Sequence, residues 1–327
     1  MLGDKEIIKV EDLVVRFEVG SRGNKDFIVP VDRVNFTIHE GEVLSLVGES
    51  GSGKSTIGRT IVGFERAYSG KISLENKNVT NLRGQGKLRM LRSSIQMIFQ
   101  DPFGSLNPVK TIEQHLTYVL KRHQKLRGNA LHKGLEDLLT LVGLPNDADA
   151  IRKYPYELSG GQRQRIAIAR ALAVQPKFIV ADEPISMLDV SIRADILQLL
   201  NKLKNELNVS FLFITHDLAS ARYFGDRVMV LYGGRVMETG SSNSVINQPL
   251  HPYTQLLIES SSGYDELKQV EETSIEAPNL SYRRHGCTFA HRCPFVMEEC
   301  KKSEPPLLPV TEDHLVACYK VHKGDEA

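Results

Sequence analysis

A short glycine-rich segment is the part of the sequence whose residue types and spacing point most directly to chemistry. It follows the pattern G-x-x-x-x-G-K-[ST], and its members in order are Gly48, Glu49, Ser50, Gly51, Ser52, Gly53, Lys54 and Ser55. In such a loop, backbone N–H groups surround a polyphosphate, the lysine neutralises its terminal oxygens and the last hydroxyl ligates Mg²⁺. A glycine-rich turn without a ligand is the alternative. The apolar run 43–47 before the loop and the helical spacing of 55–64 after it favour a phosphate site.

Two adjacent acids complement this loop. Asp182 and Glu183 follow the apolar run 178–181, which is typical of a buried strand. At the end of such a strand, Asp182 can ligate Mg²⁺ and Glu183 can orient and deprotonate an attacking water. Taken alone, such a pair is more often a solvated turn. Together with a phosphate loop, it favours hydrolysis of a nucleoside triphosphate.

A second helix start has the composition of an anion site. Leu158 precedes Ser159, Gly160, Gly161 and Gln162, and helical spacing continues over 163–173. A hydroxyl and two glycines at a helix N-terminus can hold an anion. A single nucleotide does not need both helix starts unless two chains share it. The sequence therefore predicts a head-to-tail dimer.

Strands and helices alternate around these motifs. Helical spacing also extends over 192–207, whereas strand patterns are absent from 101–175. The strands predicted from apolar runs or alternation are 7–19, 43–47, 95–99, 178–181, 211–215 and 228–232. This order predicts an α/β core at 1–100 and 176–240 with a largely parallel sheet, an inserted helical subdomain at 101–175, and an extension at 241–327 that contains a linker over 260–278.

Composition argues against a nucleic-acid-binding, a membrane-spanning or a secreted chain. The 327 residues carry 41 Lys and Arg against 40 Asp and Glu, so no global positive field exists to hold nucleic acid. The longest apolar runs are far shorter than the ~20 residues of a spanning helix. The first ten residues lack the apolar core of a secretory signal, which predicts a cytoplasmic chain with reduced cysteines.

The motifs together resemble those of the ATP-binding cassette (ABC) family. Residues 158–162 are similar to its signature motif, 48–55 to its Walker A loop and 178–183 to its Walker B strand. The likeness extends over about residues 7–260. It implies an α/β P-loop NTPase core with a mixed sheet, an inserted α-helical subdomain and a small cysteine-bearing C-terminal region. It also implies that ATP and Mg²⁺ are the ligands.

The resemblance assigns further roles one residue at a time. Gln100 is similar to the glutamine that contacts Mg²⁺ and the attacking water, and His216 to the histidine that contacts the γ-phosphate. Thr56 would join the phosphate contacts, and Asp189 would act across the dimer in a loop where Met187 replaces the usual alanine. Phe17 stands where the family stacks an aromatic ring on adenine, although its alternation fits core packing equally well.

Three stretches narrow the resemblance to the oligopeptide/dipeptide importer ATPases, and within them to the F-type subunit. They are residues 100–108, 189–191 and 251–254, and the likeness to the F-type subunit lies in residues 103–104 and 162–165. This implies a peripheral ATPase on the cytoplasmic face of the membrane. Its partners would be a second, non-identical ATPase, two permease subunits and an extracytoplasmic solute-binding protein, with no nucleic acid. A cassette acting on DNA or ribosomes is disfavoured, because those proteins usually carry a coiled-coil insertion or tandem cassettes.

All four cysteines lie in the tail, at Cys287, Cys293, Cys300 and Cys318. Their spacing lacks the C-x-x-C pairs common in zinc sites, whereas four thiolates can converge on a [4Fe-4S] cluster from irregular loops. The sequence therefore favours a structural cluster, with Zn²⁺ or four reduced thiols as alternatives. Arg292 beside Cys293 either balances the charge of a cluster or belongs to a solvated face.

Overall fold

The computed structural model describes residues 5–19, 26–261 and 285–323. Within them, twelve strands form two sheets. The strands are β1 (Glu6–Val19), β2 (Asp26–His39), β3 (Val43–Val47), β4 (Ser69–Leu74), β5 (Lys77–Asn78), β6 (Ile95–Ile98), β7 (Phe178–Asp182), β8 (Ser210–Thr215), β9 (Arg227–Tyr232), β10 (Arg235–Ser241), β11 (Leu308–Thr311) and β12 (His314–Val316).

The larger sheet is mixed, in the order β11-β12-β10-β9-β3-β8-β7-β6. Its five strands from β9 to β6 run parallel, and β10, β12 and β11 extend it antiparallel. The carboxyl ends of β3 and β7 lie at one edge of the parallel part, which is where α/β sheets place their ligands. The mixed α/β fold predicted from the resemblance is confirmed.

The second sheet is antiparallel, in the order β2-β1-β4-β5. The sequence predicted only β1 of its four strands. Pro30 and the left-handed Arg33 (φ 53°) interrupt the alternation of β2, and bulges shift its register against β1. Phe17 and Pro30 belong to this sheet and come to lie beside the phosphate loop.

Thirteen α-helices connect the strands of the described residues. They are α1 (Lys54–Ile61), α2 (Gln85–Ser94), α3 (Pro102–Ser105), α4 (Ile112–Val119), α5 (Gly128–Leu141), α6 (Ala148–Arg152), α7 (Gly160–Leu172), α8 (Val190–Leu207), α9 (Leu218–Phe224), α10 (Ser242–Asn247), α11 (Pro252–Ser261), α12 (Glu298–Lys302) and α13 (Tyr319–Lys323). The described helices include none long and apolar enough to span a bilayer.

Residues 101–175 contain helices and no strand, as the sequence indicated. Their buried leucines, including Leu116 and Leu135, share one hydrophobic cluster with Ile179 and Phe211 of the main sheet. The helical segment is therefore packed onto the sheet through a common core. The division into three domains stays a prediction.

The C-terminal region is also continuous with the sheet, because β12 pairs with β10. Beneath this edge, Tyr253 and Phe289 pack with Val47 and Tyr232 in a third cluster. The linker predicted at 260–278 lies outside the described residues from 262 onward.

Candidate nucleotide site

The phosphate loop connects β3 to α1. Lys54, the first residue of α1, is buried, and its Nζ donates to the carbonyl oxygens of Gly48 (2.6 Å) and Glu49 (2.8 Å). Burial lowers the pKa of Lys54, although the nearby carboxylates of Glu183, Asp182 and Glu49 oppose the shift. Nζ also donates to Ser52 Oγ at 3.4 Å. An ammonium held only by these neutral oxygens in a buried loop is available to exchange them for phosphate oxygens.

The start of α1 leaves backbone N–H groups for a ligand. Its N-cap, Gly53, has φ 103°, and a Cβ there would collide with the carbonyl of Pro30, so only glycine fits. Glycine offers no side chain to cap the helix. The first amides of α1 can therefore bind an anion.

The acids predicted to act with this loop lie beside it. Ser55 Oγ donates to Asp182 Oδ1 at 2.7 Å. Asp182 ends β7 almost completely buried, and this burial raises its pKa although the bond from Ser55 opposes the shift. A hydroxyl and a carboxylate form an oxygen donor set of the kind that Mg²⁺ prefers.

Three further predicted residues meet at a single carboxylate oxygen. Gln100 Nε2 donates to Glu183 Oε2 at 2.9 Å, and His216 Nδ1 lies 3.3 Å from the same oxygen. Glu183 has φ 46°, and its N–H donates to the carbonyl of Ile214 at 2.9 Å. This left-handed turn fixes where the side chain leaves the strand. The arrangement can position a water molecule and accept its proton.

These groups border an open cleft of about 730 Å³. Its lining includes, of the predicted residues, Phe17, Ser50, Gly51, Gly53, Lys54, Ser55, Thr56, Gln100, Glu183 and His216. Gly48, Glu49, Ser52 and Asp182 are absent from that lining. Ile28 and Pro30 also border the cleft and were missed, because β2 was not recognised in the sequence.

The predicted signature lies apart from this cleft. Ser159 caps α7: its Oγ accepts from the N–H of Gln162 (3.3 Å), whose Oε1 accepts from the N–H of Ser159 (3.0 Å). A Cβ on Gly161 would stand 2.6 Å from Ile192 Cγ2, so a glycine lets α7 pack closely on α8. Neither Ser159 nor the three residues after it line the cleft of their own chain.

Asp189 lies beside the signature, at the start of α8, where its side chain makes no cap bond. Two exposed apolar side chains flank it, Met187 (62%) and Val190 (80%). The single chain leaves both side chains uncovered.

The four cysteines converge. Cys287, Cys293, Cys300 and Cys318 are free thiols that line one small cavity together with His251. Burial raises the pKa of Cys287 to about 11. The cavity measures about 10 Å³, room for one water-sized sphere. The described residues form no group of three or more His, Cys, Asp or Glu that could hold a metal ion, so this arrangement does not itself support the cluster or zinc.

Family models match two parts of the chain. The ABC transporter family matches residues 31–186, and the C-terminal region of oligopeptide/dipeptide transporters matches residues 237–300. The chain is similar to solved structures as well. It aligns with the dimeric post-hydrolysis cassette MJ0796 bound to ADP and Pi at a TM-score of 0.64 and 31% identity, covering 72% of this chain and 99% of that one. It aligns with cbiO1 of Clostridium perfringens at a TM-score of 0.65 and 30% identity, covering 75% of this chain and 92% of that one.

Two relatives that align with most of the chain carry F-type names. The oligopeptide transport ATP-binding protein OppF of Escherichia coli is 40% identical over 331 residues, covering 98% of this chain and 97% of that one. AppF of Bacillus subtilis, described in the same words, is 41% identical over 294 residues, covering 88% of each chain. This chain therefore belongs to the ABC transporter ATPases, among the F-type ATP-binding subunits of oligopeptide/dipeptide transporters.

Proposed function

We propose that the cleft binds ATP and that hydrolysis there powers import of di- or oligopeptides. Lys54 would bind the β- and γ-phosphates, and Phe17 would stack on adenine. Ser55, Asp182 and Gln100 would hold Mg²⁺, which offsets the charge of the phosphates when it is bound. The observation that carries the proposal is the convergence of Gln100 and His216 on Glu183 beside the phosphate loop.

Glu183 would be the general base. Its carboxylate projects into the cleft, and the amide of Gln100 and the ring of His216 fix its orientation. The base takes the proton of the water that attacks the γ-phosphate, and ADP leaves. His216 would contact that phosphate. Catalysis of this kind consists of positioning and charge stabilisation.

The signature would complete the site of a second subunit. Ser159, Gly160, Gly161 and Gln162 lie outside the cleft of their own chain, and exposed Met187 and Val190 adjoin Asp189. A head-to-tail dimer would place these residues against the partner's ATP. The dimeric form of the MJ0796 cassette, to which this chain is similar, supports that arrangement.

A mixing experiment tests the shared site. Lys54→Ala and Ser159→Arg should each abolish ATPase activity in a dimer of one variant. Mixed in equal amounts, they form heterodimers with one intact site, and about one quarter of wild-type activity returns. If both motifs serve the same chain's site, mixing restores nothing. If the natural partner is a different ATPase, wild-type chain alone stays inactive and gains activity only when that subunit is added.

A groove beside Gln100 is suited to a permease subunit. It encloses about 860 Å³ and is lined by the stacked rings of Phe64 and Phe99 and by Arg89, Arg92 and Arg122. These residues fit an amphipathic helix with acidic residues. We expect the chain to lie peripherally on the cytoplasmic face, with two permeases, a solute-binding protein and a non-identical ATPase. Charge reversal at Arg92 should release the chain from washed membranes, whereas reversal at exposed Lys133, which does not line the groove, should not.

We also propose that the four thiols bind a [4Fe-4S] cluster. The proposal starts from the four thiols that line one cavity. As they stand they form no group that could hold a metal ion, so loading must draw them together and widen the cavity. Iron and sulfide analysis of anaerobically purified protein should find about four of each per chain, and Cys293→Ser should lower both. Zinc in their place, or no metal with four titratable thiols, would contradict the cluster.

A further inference from the structure

The second residue of the phosphate loop is held by the C-terminal region. The N–H of Glu49 donates to Tyr253 Oη at 2.9 Å, and Glu49 Oε2 accepts from Arg292 Nη1 at 2.8 Å. Its carbonyl accepts from Lys54. Every polar group of Glu49 is thus engaged, two of them by residues more than 200 positions further along the chain.

Tyr253 and Arg292, the two residues that contact Glu49, are both packed against aromatic rings. Tyr253 is fully buried, with its ring 4.6 Å from that of Tyr232 and 5.3 Å from that of Phe289, centroid to centroid. Arg292 lies over the rings of Tyr232 and Phe289, 5.8 Å from each. Packed aromatic side chains have fixed rotamers, so both contacts to Glu49 are formed in advance of any ligand.

Arg292 belongs to the loop that carries two of the thiols. The N–H of Ala290 donates to the carbonyl of Cys287, and that of Arg292 to the carbonyl of Phe289. Cys293 follows directly and lines the thiol cavity. The turn that positions the cysteines therefore also positions the guanidinium on the phosphate loop, and Arg292 does not belong to a solvated face.

We propose that the C-terminal region clamps the phosphate loop, and that Tyr253 and Arg292 are positioning residues which set the affinity for ATP without touching it. This rests on the proposed nucleotide site. Glu49 is close enough to Lys54 to favour its charged form. Without Arg292, the free carboxylate competes with phosphate for Lys54, and the loosened loop must be ordered when ATP binds.

Binding of a non-hydrolysable ATP analogue to the full chain tests the clamp. Arg292→Ala should weaken binding by about threefold to tenfold, as expected for a partly exposed ion pair with a hydrogen bond. KM for ATP should rise equally, with kcat changed less than twofold. Arg292→Ala should have little further effect in a Glu49→Gln chain, since the carboxylate is already gone. Arg292→Lys should recover part of the affinity.

Glu304→Gln is the matched control. Glu304 fixes the tail to the core through Arg33 and through Arg235 at 2.9 Å, and none of these three side chains bonds to residues 48–55. Equal weakening by Glu304→Gln and Arg292→Ala, or an undiminished effect of Arg292→Ala in the Glu49→Gln chain, would overturn the clamp. If Arg292→Ala unfolds, Tyr253→Phe, which removes only the acceptor of the Glu49 N–H, must weaken binding. Wild-type chain that binds no analogue would refute the nucleotide site itself.

Discussion

Replacement of Glu183 by glutamine isolates the proton transfer from the rest of the site. The amide has the shape of the carboxylate, and its oxygen can still accept the hydrogen bond from Gln100, which is 2.9 Å long in the wild type. The amide cannot take a proton from water. Loss of a general base lowers turnover by about 10²- to 10⁴-fold, or about 3 to 5 kcal/mol in activation free energy. Binding should be unchanged or tighter, because one negative charge leaves the phosphate site.

Two assays separate these effects. Phosphate release by Glu183→Gln should fall by the factor above, while gel filtration with ATP should show a persistent closed dimer that wild type loses on hydrolysis. Glu136→Gln, on the exposed face of α5, is the control and should match wild type in both. Retained hydrolysis in Glu183→Gln would remove Glu183 from the role of base. Lost ATP binding would mean that its charge holds the loop together.

Two other perturbations address the adenine position and the pH dependence of stability. Phe17→Ala should weaken ATP binding by about tenfold, the strength of one stacked base, and leave tripolyphosphate binding unchanged in calorimetry; equal losses for both ligands would show that Phe17 acts through core packing. Burial lowers the pKa of His251 to about 4, and its Nδ1 accepts from the N–H of Tyr253 at 3.0 Å. Between pH 6.5 and 4 the unfolded chain therefore binds one proton more than the folded chain. As the pH is lowered through this range, the free energy of unfolding should decrease by up to about 3 kcal/mol. Urea titrations should show a flatter decline for His251→Asn, and an unchanged decline would refute this origin.

The sequence predicted those elements whose residue pattern lies within a single short stretch of the chain. The loop at 48–55, the apolar strand before Asp182 and the stripe of α8 each lie within one window of the chain, and the structure agrees with them. Strand β2 was missed because Pro30 and bulges disrupt its period. Because β2 was missed, Ile28 and Pro30, which border the cleft, were missed as well. No local pattern marks a contact such as that of Glu49 with Arg292, because the loop motif permits any residue at that position.

The contacts of Glu49 also predict in which state, empty or nucleotide-bound, the C-terminal region restrains the phosphate loop more strongly. In the structure, Lys54 holds the carbonyl of Glu49, and Arg292 and Tyr253 hold its other groups. Once Lys54 turns to phosphate, that carbonyl keeps only the N–H of Ser52, at 3.2 Å, and the tail becomes the main side-chain restraint on this part of the loop. The clamp should therefore stabilise the nucleotide-bound loop more than the empty one. Hydrogen exchange at residues 48–51 should differ between wild type and Arg292→Ala with the ATP analogue bound, and differ less without it. A difference confined to the empty chain would contradict this order of events.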